Sequence, residues 1–323
     1  PRPGRPPGAP TITVNAGDSG AVMGKTLEEA GGIVATAKAF TAAFNANPDA
    51  SSIQPGTYQL LLEMKAQDAV LALLDPPKSR VSTRVTIPPE SWTVEQILEK
   101  VSQVTTVPLD ELRAAAADPP AAIGLPAEAN GNVEGWLFPS TYQYEPGTTP
   151  AQMVGQMVAK TIEVLTSKGV PQDQWETVLI KASLIEREAA LDADRPKMAR
   201  AIENRLEKGM RLQIDASLAY GLGIPGTQLT LDMLQTSDSP YNLNRVTGLP
   251  PTPIAAPGGE PSIDAVLNPA DGPWLFWMTI NLDTGETRFA TTNDEHEQNR
   301  ALYRQWQAEK AAQEAQGDEE QDG

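Results

Sequence analysis

The 323-residue chain has no cysteine and a single histidine, His296. The first absence excludes disulfides, thiolate-bound zinc, iron–sulfur clusters and a thiol nucleophile. The second excludes a multi-histidine metal site and argues against a histidine-based triad. No metal or other cofactor is expected. Acid–base chemistry then falls mainly to carboxylates, tyrosines and lysines. No stretch approaches the roughly 20 apolar residues that span a bilayer. Basic residues are also scarce, 25 against 42 acidic, for a formal net charge of −17. Such a surface repels phosphates, which argues against nucleic acid or an anionic membrane surface as a partner.

The length is that of about two domains and is enough to bury a sizeable core. Residues 1–10 are almost all Pro, Gly and Arg, starting Pro1-Arg2-Pro3 without a methionine. We expect an extended, disordered linker there, left after an upstream segment. Residues 11–80 look like a small α+β module. Thr11–Asn15 alternates as a strand, Leu27–Asn45 is Ala-rich with helical spacing, Gln54-Pro55-Gly56 turns into a strand through Leu60, and Ala66–Leu74 is an apolar-faced helix. A second region, 84–305, opens with the strand Arg84–Ile87 and a helix introduced by the capping box Thr93-Val94-Glu95-Gln96. Helices are predicted at about 150–168, 173–191 and 195–208, then a hairpin, Trp274–Leu282 with Arg288–Thr292, around Asp283-Thr284-Gly285. From 308 to 323 the chain reads as a helix fraying into a disordered acidic tail.

The helix over 173–191 carries Glu186 and Glu188. On a wheel of 100° per residue with Leu184 at the origin, Ile180, Ile185 and Val178 define a broad apolar face centred near about 40°. Glu188 falls at about 40°, where a leucine would be expected, and Glu186 at about 200°. A carboxyl on the apolar face is desolvated, which raises its pKa and suits it to act as a general acid near neutral pH. Lys181 shares that face and would oppose the shift if it came close. A structural ion pair or a helix cap is the competing reading of Glu188.

Beyond Gly209, the segment Arg211–Asp215 would, if extended, turn Arg211, Gln213 and Asp215 to one side. A guanidinium, an amide and a carboxylate together suit a sugar, and equally suit a solvated strand face. The turn-rich loops around Ser239–Asn242 and Gly248–Ile254 contribute Tyr241, a stacking surface with a hydroxyl. His296 reads as a structural histidine.

Taken together these segments resemble the YceG-like family of endolytic murein (peptidoglycan) transglycosylases. The resemblance is carried by Glu134–Tyr142, Ala182–Glu188, Asn204-Arg205-Leu206, Gly209–Asp215, Tyr220-Gly221, Tyr241-Asn242, Gly248–Ile254, Asn268-Pro269 and Asn293–His296, in matching order and spacing over about residues 12–305. Ala189 and Asn244 depart from the family's usual threonine and aromatic, and Ile214 replaces a small polar residue. The resemblance implies an α+β fold, with a LysM-like subdomain at 11–80 and a mixed α/β catalytic domain at 84–305. It implies cleavage of the β-1,4 bond between N-acetylmuramic acid and N-acetylglucosamine, with 1,6-anhydro ends as product. Glu188 falls on the family's catalytic glutamate, and Gln213, Asp215, Tyr241 and Asn242 are candidates for orienting the sugar. The implied partners are peptidoglycan strands and the cell-wall synthases (penicillin-binding proteins), with the protein anchored at the outer face of the cytoplasmic membrane. Two other readings stand beside it. One is an inactive glycan-binding scaffold; the other is a two-carboxylate muramidase with Glu186 or Asp215 as the second acid.

Overall fold

The computed structural model describes residues 9–75, 79–117 and 120–321. It divides into two compact units, residues 1–85 with 142–149, and residues 86–141 with 150–323. The Pro-rich stretch 1–8 lies outside the described residues. Every sheet is a strand pair, and helices supply most of the remaining regular structure. The class is α+β.

In the first unit, β1 (Thr11–Val14) pairs antiparallel with β2 (Gly56–Gln59), Thr11 opposite Gln59 and Val14 opposite Gly56. Between them run α1 (Gly20–Glu29) and α2 (Ala37–Ala46), and α3 (Ala66–Leu74) follows. The Ala-rich stretch expected to be one helix is two. Gly31 and Gly32 both take positive φ, near 84° and 81°, which ends α1, and Thr36 then caps α2 by accepting from Ala39 N–H. Leu27, Ile33, Phe40, Tyr58, Leu60 and Leu73 form the core. The segment Tyr142–Thr149 also belongs to this unit, which the boundary expected at residue 80 did not foresee. Glu145 is the reason: it accepts from Thr57 N–H at 2.8 Å and from Arg80 Nη2 at 2.6 Å.

The chain leaves this unit along β3 (Thr83–Thr86) and re-enters it along β4 (Thr141–Tyr144), and the two strands pair. The second unit then contains α4 (Val94–Thr105), whose predicted capping box is formed, and α5 (Leu109–Ala117). Next come α6 (Pro150–Ser167), α7 (Trp175–Glu188), α8 (Arg195–Glu207), α9 (Asp215–Leu222), α10 (Leu231–Thr236) and α11 (Glu260–Leu267). The hairpin β5 (Phe276–Asn281) and β6 (Glu286–Ala290) and the long α12 (Asn293–Gln321) close the unit.

Helix α7 is the core of this unit. Ile180, Leu184 and Ile185 pack with Met198 and Ile202 of α8 and with Leu212, Ile214, Leu243 and Ile254 from the loops. The helix ends at Glu188, three residues earlier than the periodicity predicts, and Leu191 lies beyond it, exposed. Helix α12 continues through Gln321, where disorder was expected from 308. Its Ala, Gln, Glu and Lys are strong helix formers, and Lys310 is tied to Asp283 of the hairpin turn at 2.9 Å. Among the described residues no helix is long and apolar enough to cross a membrane.

Candidate active site

Glu188 is the last residue of α7, so its backbone is held by the helix while its side chain clears the helix end. Part of the residue stays open to solvent, but its carboxyl group is enclosed by protein. Burial pushes its pKa up, and the nearby Asp215 carboxylate pushes it further. Two groups work against that rise. The Trp277 indole N–H donates to Glu188 Oε2 at 3.1 Å, and the Arg205 guanidinium attracts the ionised form. The negative end of the α7 dipole also disfavours charge here. The result is a carboxyl held toward its protonated form, with one oxygen anchored by Trp277.

Trp277 comes from β5 and Arg205 from α8. Arg205 is buried and donates to the carbonyls of Leu275, Arg211 and Leu212, the last at 2.6 Å. The Phe276 and Trp277 rings each lie 5.1 Å from its guanidinium. One fork thus ties α8, the hairpin and the 211–215 segment together around Glu188. Burial lowers the Arg205 pKa to about 10, and Glu188 raises it. Arg205 is therefore a cation at neutral pH.

The wheel put Glu186 on the face opposite Glu188, but Glu186 is not on an open face. Its side chain is 6% exposed, ion-paired with Arg195, and accepts from Ser262 Oγ at 2.7 Å. Gly258 passes so close that a Cβ there would fall 1.9 Å from the Glu186 carboxyl, and its φ of 65° favours glycine independently. Glu186 is a structural ion pair between α7, α8 and α11. Lys181 turns to Glu203 at 2.6 Å and takes no part at Glu188.

The four candidate sugar contacts divide in two. Gln213 is exposed, with φ near 51°, and its N–H is bonded to Leu243 O at 3.0 Å. Residues 211–214 form no strand, yet Leu212 and Ile214 are buried while Arg211, Gln213 and Asp215 are exposed, as an extended segment would have them. Asp215 opens α9 and accepts from Asn244 Nδ2 at 2.8 Å. Tyr241 is half-buried, its hydroxyl 2.8 Å from that of Thr252 and its ring edge-on to Tyr220 at 5.3 Å. Asn242 differs from the expectation of a sugar contact. It is 0% exposed, its amide donates to Leu234 O and Ser237 O at 3.0 and 2.9 Å, and its Oδ1 accepts from Asn244 N–H. Both ends are committed to the loop, so Asn242 shapes the segment that presents Tyr241. His296 stacks on Phe276, and burial lowers its pKa.

Sequence reasoning missed Trp277, Arg205 and Glu134. Arg205 and Glu134 fall inside segments quoted for the resemblance, and Trp277 lies on a predicted strand, but each acts through a contact made in three dimensions. Glu134 is 6% exposed, and burial raises its pKa to about 7. It accepts from Val94 N–H at 3.1 Å and from the Tyr220 hydroxyl at 3.2 Å.

The α+β scaffold thus encloses the Glu188 carboxyl at a helix end, near the exposed Gln213 and Asp215 and the half-buried Tyr241, an arrangement that can donate a proton. The YceG-like family model matches residues 12–302, and the chain belongs to that family. It is 27% identical over 327 residues to an endolytic murein transglycosylase of Streptococcus pneumoniae, covering 90% of this chain and 57% of that protein. It is 36% identical over 176 residues to the Bacillus subtilis protein of the same name, covering 53% of this chain and 48% of that one. The chain thus spans about half the length of the curated relatives it matches. The crystal structure of a yceG-like protein from Listeria monocytogenes superposes with a TM-score of 0.57 at 28% identity, over 89% of this chain and 98% of that one.

Proposed function

We propose that this protein is an endolytic peptidoglycan lytic transglycosylase that uses Glu188 alone as acid and then base. The observation that carries the reading is the desolvated Glu188 carboxyl at the end of α7, held by the Trp277 N–H and facing the 213–215 segment of a family whose named relatives are murein transglycosylases. Protonated Glu188 gives its proton to the glycosidic oxygen as the bond from the muramoyl anomeric carbon breaks. The muramoyl C6 hydroxyl attacks that carbon, and ionised Glu188 takes its proton. The product is a 1,6-anhydromuramoyl end, no water is consumed, and Glu188 returns to its starting form. Gln213, Asp215 and Tyr241 orient the sugar, and Asn242 acts through the loop. The first unit, with its β1-α1-α2-β2 order, serves as the LysM-like module. The reading puts the enzyme at the outer face of the cytoplasmic membrane beside the cell-wall synthases.

A second reading is hydrolysis with Asp215 as the second carboxylate, favoured by the charge Asp215 exerts on Glu188. Mass spectrometry of the soluble products from purified peptidoglycan separates the two. Anhydro-ended fragments that vanish in Glu188→Gln support the transglycosylase; reducing ends support the hydrolase. Glycan bound but left uncut would sink both and favour a scaffold.

A further inference from the structure

A cavity of about 610 Å³ opens in the second unit beside the Glu188 site but separate from it. Neither Glu188, Asp215, Tyr241 nor Trp277 lines it. Its wall includes Arg187 and Ala216, the chain neighbours of Glu188 and Asp215. Successive residues on a helix point about 100° apart, so the end of α7 turns Glu188 into one site and Arg187 into the other. The volume lies within the usual range for small-ligand pockets, about 300–1,000 Å³.

Three features of the lining describe a ligand. Arg187 makes no hydrogen bond or ion pair among the described residues, although it lines the cavity near the buried Glu134. Its planar fork of five donors suits a carboxylate, which it can hold through two parallel bonds. Glu99, also on the lining, likewise makes no hydrogen bond or ion pair among the described residues, whereas the charge of Glu95 is taken by Arg113. Glu99 therefore offers a free acceptor for an ammonium group. Ile224 and Pro225 supply apolar surface on the lining, suited to a short aliphatic chain. A peptide bearing a carboxylate and a diamino residue with a free ω-ammonium meets all three.

We propose that this cavity receives the peptide stem carried by the glycan, with a stem carboxylate on Arg187 and the ω-ammonium of the diamino residue on Glu99. The proposal rests on peptidoglycan being the substrate. It makes the stem a specificity element, bound on the far side of the α7 end from the bond that Glu188 breaks.

Two measurements test it. The intact chain is titrated calorimetrically with the tripeptide L-alanyl-γ-D-glutamyl-L-lysine. Saturable binding that weakens by about tenfold or more in Arg187→Gln and in Glu99→Gln supports the proposal. No binding, or binding that both variants leave unchanged, overturns it. Among the described residues neither side chain has a hydrogen bond or ion pair to lose, so both variants should fold, which thermal melting checks. Separately, kcat/KM is compared on strands with their stems and on strands stripped by an amidase. A preference for stem-bearing strands of about tenfold that collapses in Arg187→Gln supports the proposal; equal rates on both strands overturn it. If neither strand is cut, the transglycosylase reading fails by itself, and the tripeptide titration still decides whether the cavity binds a stem.

Discussion

Trp277 Nε1 lies 3.1 Å from Glu188 Oε2, so a hairpin strand, far along the chain from α7, fixes one oxygen of the proposed acid. That bond favours the ionised carboxylate and opposes the effect of burial. Trp277→Phe keeps a ring against Arg205 but removes the donor. The Glu188 pKa then rises, and the alkaline limb of the kcat/KM profile moves to higher pH. Because the carboxyl also loses an anchor, kcat should fall about tenfold. An unmoved limb in the measured pH profile would show that Trp277 only packs there.

Glu188 and Glu186 sit two residues apart and should fail in opposite ways. Glu188→Gln removes the proton donor and should lower turnover by at least about 10²-fold. It also neutralises a group whose charged form is disfavoured in the fold, so its melting temperature should equal or exceed that of the parent. Glu186→Gln leaves Arg195, whose side chain is 11% exposed, with Asp192 as its remaining counter-ion. It should cost about 2–3 kcal/mol in urea unfolding while folded molecules keep their turnover. Equal losses of turnover in the two variants would contradict this division.

Glu134 predicts a pH dependence of stability. Burial raises its folded pKa from 4.5 to about 7. Between those values the unfolded chain is ionised and the folded one is protonated, so stability falls as pH rises through this window. The loss is complete above pH 7 and amounts to at most about 3 kcal/mol. Glu134→Gln removes this contribution. Its unfolding free energy, measured from pH 5 to 8, should decline less steeply than that of the parent; parallel curves would refute the assignment.

Asn242→Ala should act on the loop rather than on the chemistry. It leaves two half-buried carbonyls and one N–H without their partner, a loss of about 1–3 kcal/mol. KM should rise, because Tyr241 is no longer held in register, with little change in the pH profile. Conversely, a shift in the pH profile would bring Asn242 into contact with the reacting groups.

Much of the local architecture was legible. The Thr93–Gln96 capping box, the hairpin at Asp283–Gly285 and the start of α6 at Pro150 depend on residues a few positions apart, and each is present. Helix α3 was read with the observed ends, Ala66 and Leu74, for the same reason. Errors came where a longer-range or backbone effect intervened. Gly31-Gly32 split an Ala-rich stretch, and Lys310 and helix propensity carried α12 onward.

The sequence by itself narrowed acid–base chemistry mainly to carboxylates, tyrosines and lysines, because it has no cysteine and one histidine. It also selected Glu188, since helical periodicity alone puts that residue among leucines and isoleucines. Only the tertiary structure decided what surrounds it. The partners of the two glutamates, Trp277 for one and Arg195 with Ser262 for the other, come from elements that meet α7 only when the unit folds. A wheel describes one helix and its empty surroundings, whereas acidity depends on every charge and donor within a few ångströms, and those are supplied by packing.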